Sequence, residues 1–239
     1  MSDLKSCTAV ILAGGLGMRL KSVVADRPKV LAEVNGRPFL TYLFDQLIRA
    51  GISRVVLCTG YLGEMIQEQF GECYQSLNIL YSRESVKLGT GGSVRLAYPH
   101  LASDPVLVMN GDSYCRVDLE AAYNWHQTHR DKATMILTQV QDVQRFGQVR
   151  FDQNGLVMRF DEKGANSGPG WINAGIYLLS PALIQSIPPD QKVSLERDVF
   201  PTWVGKLLLG YQSQGEFLDI GTPESYVKAA AFFAGQMSG

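Results

Sequence analysis

The chain contains no apolar run near the roughly 18 residues that a membrane-spanning helix needs, so no membrane span and no membrane partner are expected. It also lacks a charge excess. Its 239 residues carry 22 Lys and Arg against 23 Asp and Glu, a formal net charge of −1. No global basic field is present to recruit nucleic acid or an anionic membrane. Cysteine is scarce: Cys7, Cys58, Cys73 and Cys115 lack the close spacing of a metal site. Buried free thiols in a reducing, cytoplasmic compartment are the expected reading. Histidine is scarcer still. His126 and His129 stand one helical turn apart with no third ligand near them in sequence, so solvent-facing side chains are expected, and His100 has no partner. The first residues show no small-x-small cleavage signal, so no secretory leader is expected. Internal repeats, low-complexity tracts and a hexapeptide array are absent, which excludes a solenoid reading. A hydrophobic content of 46% and a charged content of 19% belong to an ordinary globular protein. The length suits one α/β domain.

What is present is a rhythm. Thr8 to Leu12 is an apolar run long enough for one buried strand. Pro38 suits the first turn of a helix, and Gly51 its left-handed stop. Arg54 to Thr59 reads as a strand, Leu62 to Phe70 as a helix stopped by Gly71, and Asn78 to Tyr81 as a further strand. Strand and helix alternating in this way imply parallel strands joined by right-handed crossovers. Ligands in such sheets sit at the carboxyl ends of the strands. Further on, Pro105 to Met109 and Ala133 to Gln139 read as strands, and Asp118 to His129 as a helix. Gln148 to Phe151 and Leu156 to Phe160 read as a hairpin turning on residues 152–155, and Trp171 to Leu179 as another strand. Strand-rich structure after the alternating half suggests a mixed sheet covering the first half.

The first strand runs into Gly14, Gly15 and Gly17, with Arg19 and Lys29 following. Glycines let a backbone approach a ligand closely, and successive N–H groups there can form an anion-binding nest. A nest followed by two cations suits a polyphosphate; a plain turn with solvated cations is the alternative. A Walker A loop is excluded, because no Lys-Ser/Thr follows the glycines. The dinucleotide fingerprint is also broken, since Leu20 stands where its third glycine belongs. A second glycine-rich run, residues 88–92 (LGTGG), opens an apparent helix to Tyr98. Asn110-Gly111-Asp112 follows a core strand, where an Asp is placed to hold a hard cation such as Mg²⁺; an Asx turn would also account for it. Asp219-Ile220-Gly221-Thr222-Pro223 ends a strand, with Thr222 as cap and Pro223 as first residue of the last helix. Ser194 makes a reasonable N-cap for a helix towards Trp203, and structural use of the acidic residues after it is the better reading.

The run G-G-x-G-x-R-L followed by P-K resembles the signature loop of the sugar-1-phosphate nucleotidyltransferases. Met18 stands where that family usually has Thr. Further elements occur in the family's order: LGTGG, NGD, Glu162-Lys163 with Asn173-Ala174-Gly175, and DIGTP. The resemblance runs from Ala9 to about Tyr226. It implies a three-layer Rossmann-like α/β fold with a mostly parallel mixed central sheet, in a single domain over 1–239. Residues 1–130 would then bind nucleotide and 131–239 the sugar phosphate. It implies nucleotide contacts from Leu12, Ala13, Gly14, Gly15, Gly17, Met18, Gly89, Thr90, Gly91 and Gly111. It makes Asp112 and Asp219 the ligands of Mg²⁺. Glu162 would bind sugar hydroxyls and Lys163 the sugar's phosphate, with Asn173 and Gly175 touching the sugar.

The reaction so implied is in-line displacement at the α-phosphorus of a nucleoside triphosphate by a sugar-1-phosphate oxygen, with pyrophosphate leaving. The attacking group is already an anion and needs no general base, so positioning and charge neutralisation are the levers. Arg19 and the loop N–H groups would hold the β- and γ-phosphates, and Lys29 would face the α-phosphate. The thymidylyl branch typically carries a Gln before its second glycine loop, whereas this chain has Tyr81-Ser82-Arg83-Glu84. Asp26 to Lys29, Pro38-Phe39 and Ser194 to Pro201 look most like the D-glycero-α-D-manno-heptose-1-phosphate guanylyltransferase branch, which points to GTP, a heptose phosphate and cell-surface polysaccharide supply. Mannose 1-phosphate with GTP is the nearest alternative, followed by uridylyl or thymidylyl transfer to other sugars. A non-catalytic binding or regulatory relative is the competing class. A nicotinamide oxidoreductase is disfavoured by Leu20. Homo-oligomerisation stays open.

Overall fold

The computed structural model describes residues 3–15, 20, 24, 26–129 and 131–234. In chain order the strands are β1 (Thr8–Leu12), β2 (Glu33–Val34), β3 (Arg37–Pro38), β4 (Arg54–Thr59), β5 (Cys73–Tyr74), β6 (Leu77–Arg83) and β7 (Val106–Asn110). They continue with β8 (Ser113–Cys115), β9 (Ala133–Val140), β10 (Val149–Phe151), β11 (Val157–Phe160), β12 (Gly170–Leu179), β13 (Leu208–Ser213) and β14 (Phe217–Asp219). The helices are α1 (Phe39–Arg49), α2 (Gly63–Phe70), α3 (Gly89–Leu96), α4 (Leu119–Gln127), α5 (Pro181–Gln185), α6 (Phe200–Trp203) and α7 (Pro223–Ala234). Among the described residues no helix is long and apolar enough to cross a membrane.

Eight strands form one sheet in the order β13-β9-β12-β7-β1-β4-β6-β5. β1 pairs in parallel with β4 and β7, β4 with β6, and β9 with β13. β12 lies antiparallel between β7 and β9. The second half therefore extends the first half's sheet; it does not form a covering layer, as its strand-rich sequence suggested. The expected mostly parallel mixed sheet is what is found.

Alternation along the strands builds two apolar layers. Ala9 and Ile11 of β1, with Leu107 and Met109 of β7, pack on the side of α1, α4 and α7. Val10 of β1 and Val106 and Val108 of β7 pack on the opposite side, against α3, α5 and α6. The central strands are apolar on both faces because helices cover both, as parallel sheets require.

Two histidine and cysteine expectations change. His126 is buried, 1% exposed, and its Nδ1 lies 2.8 Å from Thr134 Oγ1 on β9. Its place on α4 faces the sheet, so it is not the solvent-facing residue expected. Its neighbour His129 is half-buried and its ring centroid lies 4.4 Å from that of Trp125. All four cysteines are free, with Cys7, Cys58 and Cys115 buried but Cys73 exposed at the sheet's edge strand.

The turn after β7 is set by close packing. The Gly111 amide donates to the Leu12 carbonyl over 3.0 Å, and a Cβ on Gly111 would stand 2.6 Å from that same oxygen. Among the described residues nothing lies within 4 Å of such a Cβ on Gly15. Gly111→Ala should therefore lower stability by about 1–3 kcal/mol. Gly15→Ala should stay within about 0.5 kcal/mol of the parent. Urea unfolding of the two variants checks this, and an unchanged midpoint for Gly111→Ala would refute the packing argument.

Candidate active site

β1 and β7 end side by side, Leu12 opposite Asn110, with Cys58 of β4 opposite Leu12 on the other flank. Beyond these ends opens a cleft of about 320 Å³. Leu12 to Gly15 form its floor, the start of α3 (Gly89, Thr90, Ser93) one wall, and Lys29, Asp112 and Gly221 its rim. α3 begins with glycines because its first turn is pressed on a neighbouring loop. A Cβ on Gly89 would lie 2.6 Å from the Val193 carbonyl, which accepts the Gly91 amide over 2.9 Å.

Lys29 opens a short turn whose next residues, Val30 and Leu31, are buried and hold it in place. Its ammonium lies 2.8 Å from Asp112 Oδ2. The lysine side chain is 10% exposed while the aspartate's is 50% exposed, so the pair presents its carboxylate to the cleft. Asp112 is fixed from behind, its carbonyl accepting the Ile220 amide over 3.0 Å. This contact continues the β8–β14 ladder, in which Asp219 faces Ser113. The two aspartates thus stand on adjoining strand ends. Arg145 reaches Asp219 Oδ2 at 3.1 Å, and the Gly221 amide donates to Asp219 Oδ1.

The residues anticipated from sequence are placed as follows. Leu12, Ala13, Gly14, Gly15, Lys29, Gly89, Thr90 and Asp112 line the cleft together. Gly91 and Gly111 stand just behind its wall, in the backbone contacts given above. Gly17, Met18 and Arg19 lie outside the described residues. Asp219, Asn173, Gly175, Glu162 and Lys163 do not line the cleft. Gly175 sits at φ +73° where the β12–β9 register shifts, and a Cβ there would stand 2.6 Å from Asn110 Nδ2. Asn173 accepts the Gly175 amide and donates to the Tyr177 hydroxyl, both over 2.8 Å. Glu162 and Lys163 are exposed in the turn after β11. That turn is anchored by Asp161, whose side chain is 6% exposed. Arg150 at 3.0 Å and Arg159 at 2.6 Å hold its carboxyl below the usual carboxylate range.

Six lining residues were not among the site residues anticipated from sequence: Val30, Glu84, Lys87, Ser93, Asn110 and Gly221. Glu84 Oε2 accepts the Leu88 amide over 3.0 Å and the Ser93 hydroxyl over 2.8 Å, so it gathers the entry to α3. An acidic residue just before a glycine-rich helix start was the available signal.

The cleft stands at the carboxyl edge of a mostly parallel sheet, and two carboxylates, Glu84 and Asp112, and two lysines, Lys29 and Lys87, line it. The family model described as nucleotidyl transferase matches residues 8–236. The chain belongs to the nucleotidyl transferase family. It is 38% identical over 222 residues to a D-glycero-alpha-D-manno-heptose 1-phosphate guanylyltransferase of Aneurinibacillus thermoaerophilus, covering 92% of this chain and 96% of that one. A mannose-1-phosphate guanylyltransferase of Mycobacterium tuberculosis is 35% identical, and 63% of its length is covered. Among solved structures, HddC from Yersinia pseudotuberculosis superposes with a TM-score of 0.84 at 33% identity, over 95% of this chain and 99% of that one. The same protein is also known complexed with GMP-PN.

Membership in this family makes Lys29 the residue to probe first. Lys29→Met keeps the packed stem and removes the charge. Water can take over at the half-exposed Asp112, so the stability change should stay within about 1 kcal/mol. Nucleotidyl transfer should nonetheless fall at least about 100-fold in kcat/KM. Near-parental turnover in a folded variant would remove Lys29 from the chemistry.

Proposed function

We propose that the chain transfers a guanylyl group from GTP to a sugar 1-phosphate, with D-glycero-α-D-manno-heptose 1-phosphate the favoured acceptor, giving a GDP-sugar and pyrophosphate. The heptose 1-phosphate guanylyltransferase of Aneurinibacillus thermoaerophilus is 38% identical to this chain and the mannose-1-phosphate guanylyltransferase of Mycobacterium tuberculosis 35%. The higher identity supports the heptose reading; mannose 1-phosphate is the second reading, carried by the 35% identity.

The observation that carries the base is Glu84. Its carboxylate lines the cleft and has further acceptor capacity beyond the two donors it already holds. Guanine offers two adjacent donors, N1–H and the N2 amino group. Uracil and thymine offer one donor between two carbonyl oxygens, which a carboxylate repels. A carboxylate at this wall therefore complements guanine and opposes the pyrimidines.

In this reading residues 1–130 carry the nucleotide and 131–239 the sugar phosphate, within one domain. The loop N–H groups from Gly14 onwards, with Arg19, grip the β- and γ-phosphates and steady the departing pyrophosphate. Lys29 faces the α-phosphate, held at the rim by Asp112 instead of trailing into solvent. Lys163 holds the incoming sugar phosphate, Glu162 reads sugar hydroxyls, and Asn173 and Gly175 border the sugar. Asp112 and Asp219 are both hard oxygen donors on adjoining strand ends, the donor class that Mg²⁺ takes. Bound there, Mg²⁺ would reduce the negative charge that the α-phosphate presents to the attacking oxygen. The acceptor oxygen is anionic, so the chain's work is alignment and charge neutralisation. The buried free thiols suit the cytoplasm.

Four NTPs crossed with several sugar 1-phosphates in Mg²⁺, read by pyrophosphate release, tests this reading. GTP with the manno-heptose phosphate should be fastest. A faster mannose pair would select the second reading, and no release from any pair would reject both. Glu84→Gln should cut the preference for GTP over UTP at least about tenfold in kcat/KM; an unchanged ratio would clear Glu84 of base choice. Asp112→Asn should abolish Mg²⁺-dependent turnover, and retained dependence would exclude it as a required ligand.

A further inference from the structure

Glu196 lies in the Ser194 to Pro201 stretch but has been given no role in the site. It stands in a short π-helical turn, Leu195–Val199, capped by Ser194. Thr90, on the cleft wall at the start of α3, donates its hydroxyl to Glu196 Oε2 over 2.7 Å. The same Thr90 oxygen accepts the Leu195 amide over 2.8 Å. Ser194 adds a hydroxyl to Glu196 Oε2 over 2.9 Å. The other oxygen, Oε1, takes the Tyr177 hydroxyl over 3.4 Å. Tyr177 in turn accepts from Asn173, whose side-chain oxygen holds the Gly175 amide. One carboxylate thus collects hydroxyls from the wall proposed for the nucleotide and from the strand proposed for the sugar.

The chemistry makes this a directed link. A carboxylate only accepts, so Thr90, Ser194 and Tyr177 must each point a proton at it. Tyr177 is fully buried, and that burial with the nearby Glu196 charge pushes its phenol pKa well up, so the hydroxyl keeps its proton. Bonds to an ionised acceptor are the stronger kind. Losing the acceptor would leave the buried Tyr177 hydroxyl without this partner, and its orientation sets that of Asn173.

We propose that Glu196 is a positioning residue that fixes the Thr90 wall and the Asn173–Gly175 strand in one mutual arrangement, so that nucleotide and sugar phosphate are set together for in-line transfer. Glu196 itself touches neither substrate. The proposal rests on the guanylyltransferase reading for the identity of the two subsites.

The test is a set of steady-state measurements on the full chain, with GTP and the best sugar 1-phosphate, at fixed Mg²⁺. Glu196→Ala should raise KM for GTP and KM for the sugar phosphate together, each about tenfold, with a lower kcat. Glu196→Gln, which keeps one acceptor oxygen for Thr90, should recover the GTP KM to within about threefold. Thr90→Val and Tyr177→Phe probe the two ends. No hydrogen bond joins Thr90 directly to Tyr177, so their combined effect on kcat/KM should be additive unless Glu196 couples them; we expect the double variant to fall short of the product of the singles by about tenfold. A rise in only one KM, unchanged KM values with a reduced folded fraction, or additivity of Thr90→Val with Tyr177→Phe would each overturn the proposal. The last comparison leaves Glu196 intact and holds even where Glu196→Ala does not fold. Calorimetric titration with GDP alone provides a second arm: Glu196→Ala should weaken GDP binding. A parent chain that binds GDP but transfers nothing would defeat the functional reading, whereas a parent that transfers normally while Glu196→Ala keeps its KM values would defeat only this one.

Discussion

One strand running against its neighbours sets the geometry of the molecule. β12 enters the sheet antiparallel between β7 and β9. Without it, β9 and β13 would have no edge of the first half's part of the large sheet to join. Its insertion carries Gly175 to the carboxyl end of β7, hard against Asn110. Gly175 holds a positive φ, and its missing Cβ is what permits the approach. A side chain there would push apart the two strand ends that border the cleft. The register with β9 shifts between Asn173 and Tyr177, the stretch that holds Gly175.

On this frame the charges are arranged in pairs. Asp112 has Lys29 and Asp219 has Arg145. Pairing of this kind contributes little to stability at a half-exposed rim. In the function proposed above its value is positional: each carboxylate is aimed before any ligand arrives. The same logic covers Asp161. Two guanidiniums and Asn166 hold its carboxylate, and the exposed Glu162 and Lys163 extend from that fixed point.

Local signals read from sequence match the structure where one chain segment decides the outcome. β1 and β4 have the bounds expected from their apolar runs. Gly51 and Gly71 follow their helices with positive φ, as helix stops should. Pro223 opens α7 as its sequence suggested. What escaped sequence reasoning depends on partners far away. β8 has only three residues and exists because β14 pairs with it. β13 carries Gly210 and Gln212 between its apolar residues, and it is a strand because β9 offers a parallel edge. His126 looked solvent-facing because only its own helix was in view, whereas Thr134 on β9 supplies its buried partner. Of the site, the cleft residues after β1, Lys29, the α3 start and the β7 turn were legible as motifs. Glu84 and Glu196 were not, since their roles follow from which backbone amides and hydroxyls the folded chain brings to them.

The distribution of the site along the chain has a physical consequence. Lys29, Asp112 and Gly221 meet at one rim, yet they come from sequence positions that only the completed sheet brings together. Asp112 is steadied by Ile220, and Ile220 is placed by a strand pair that itself needs the second half in register. Pairings so distant in sequence form only after large loop-closure entropy has been overcome. A chain whose second half is loosened would thus keep its glycine loop and its local helices but lose the anchor behind Asp112. The cleft is therefore a property of the whole sheet: the first half supplies most of the groups that line it, and the second half supplies the constraint that holds them in place.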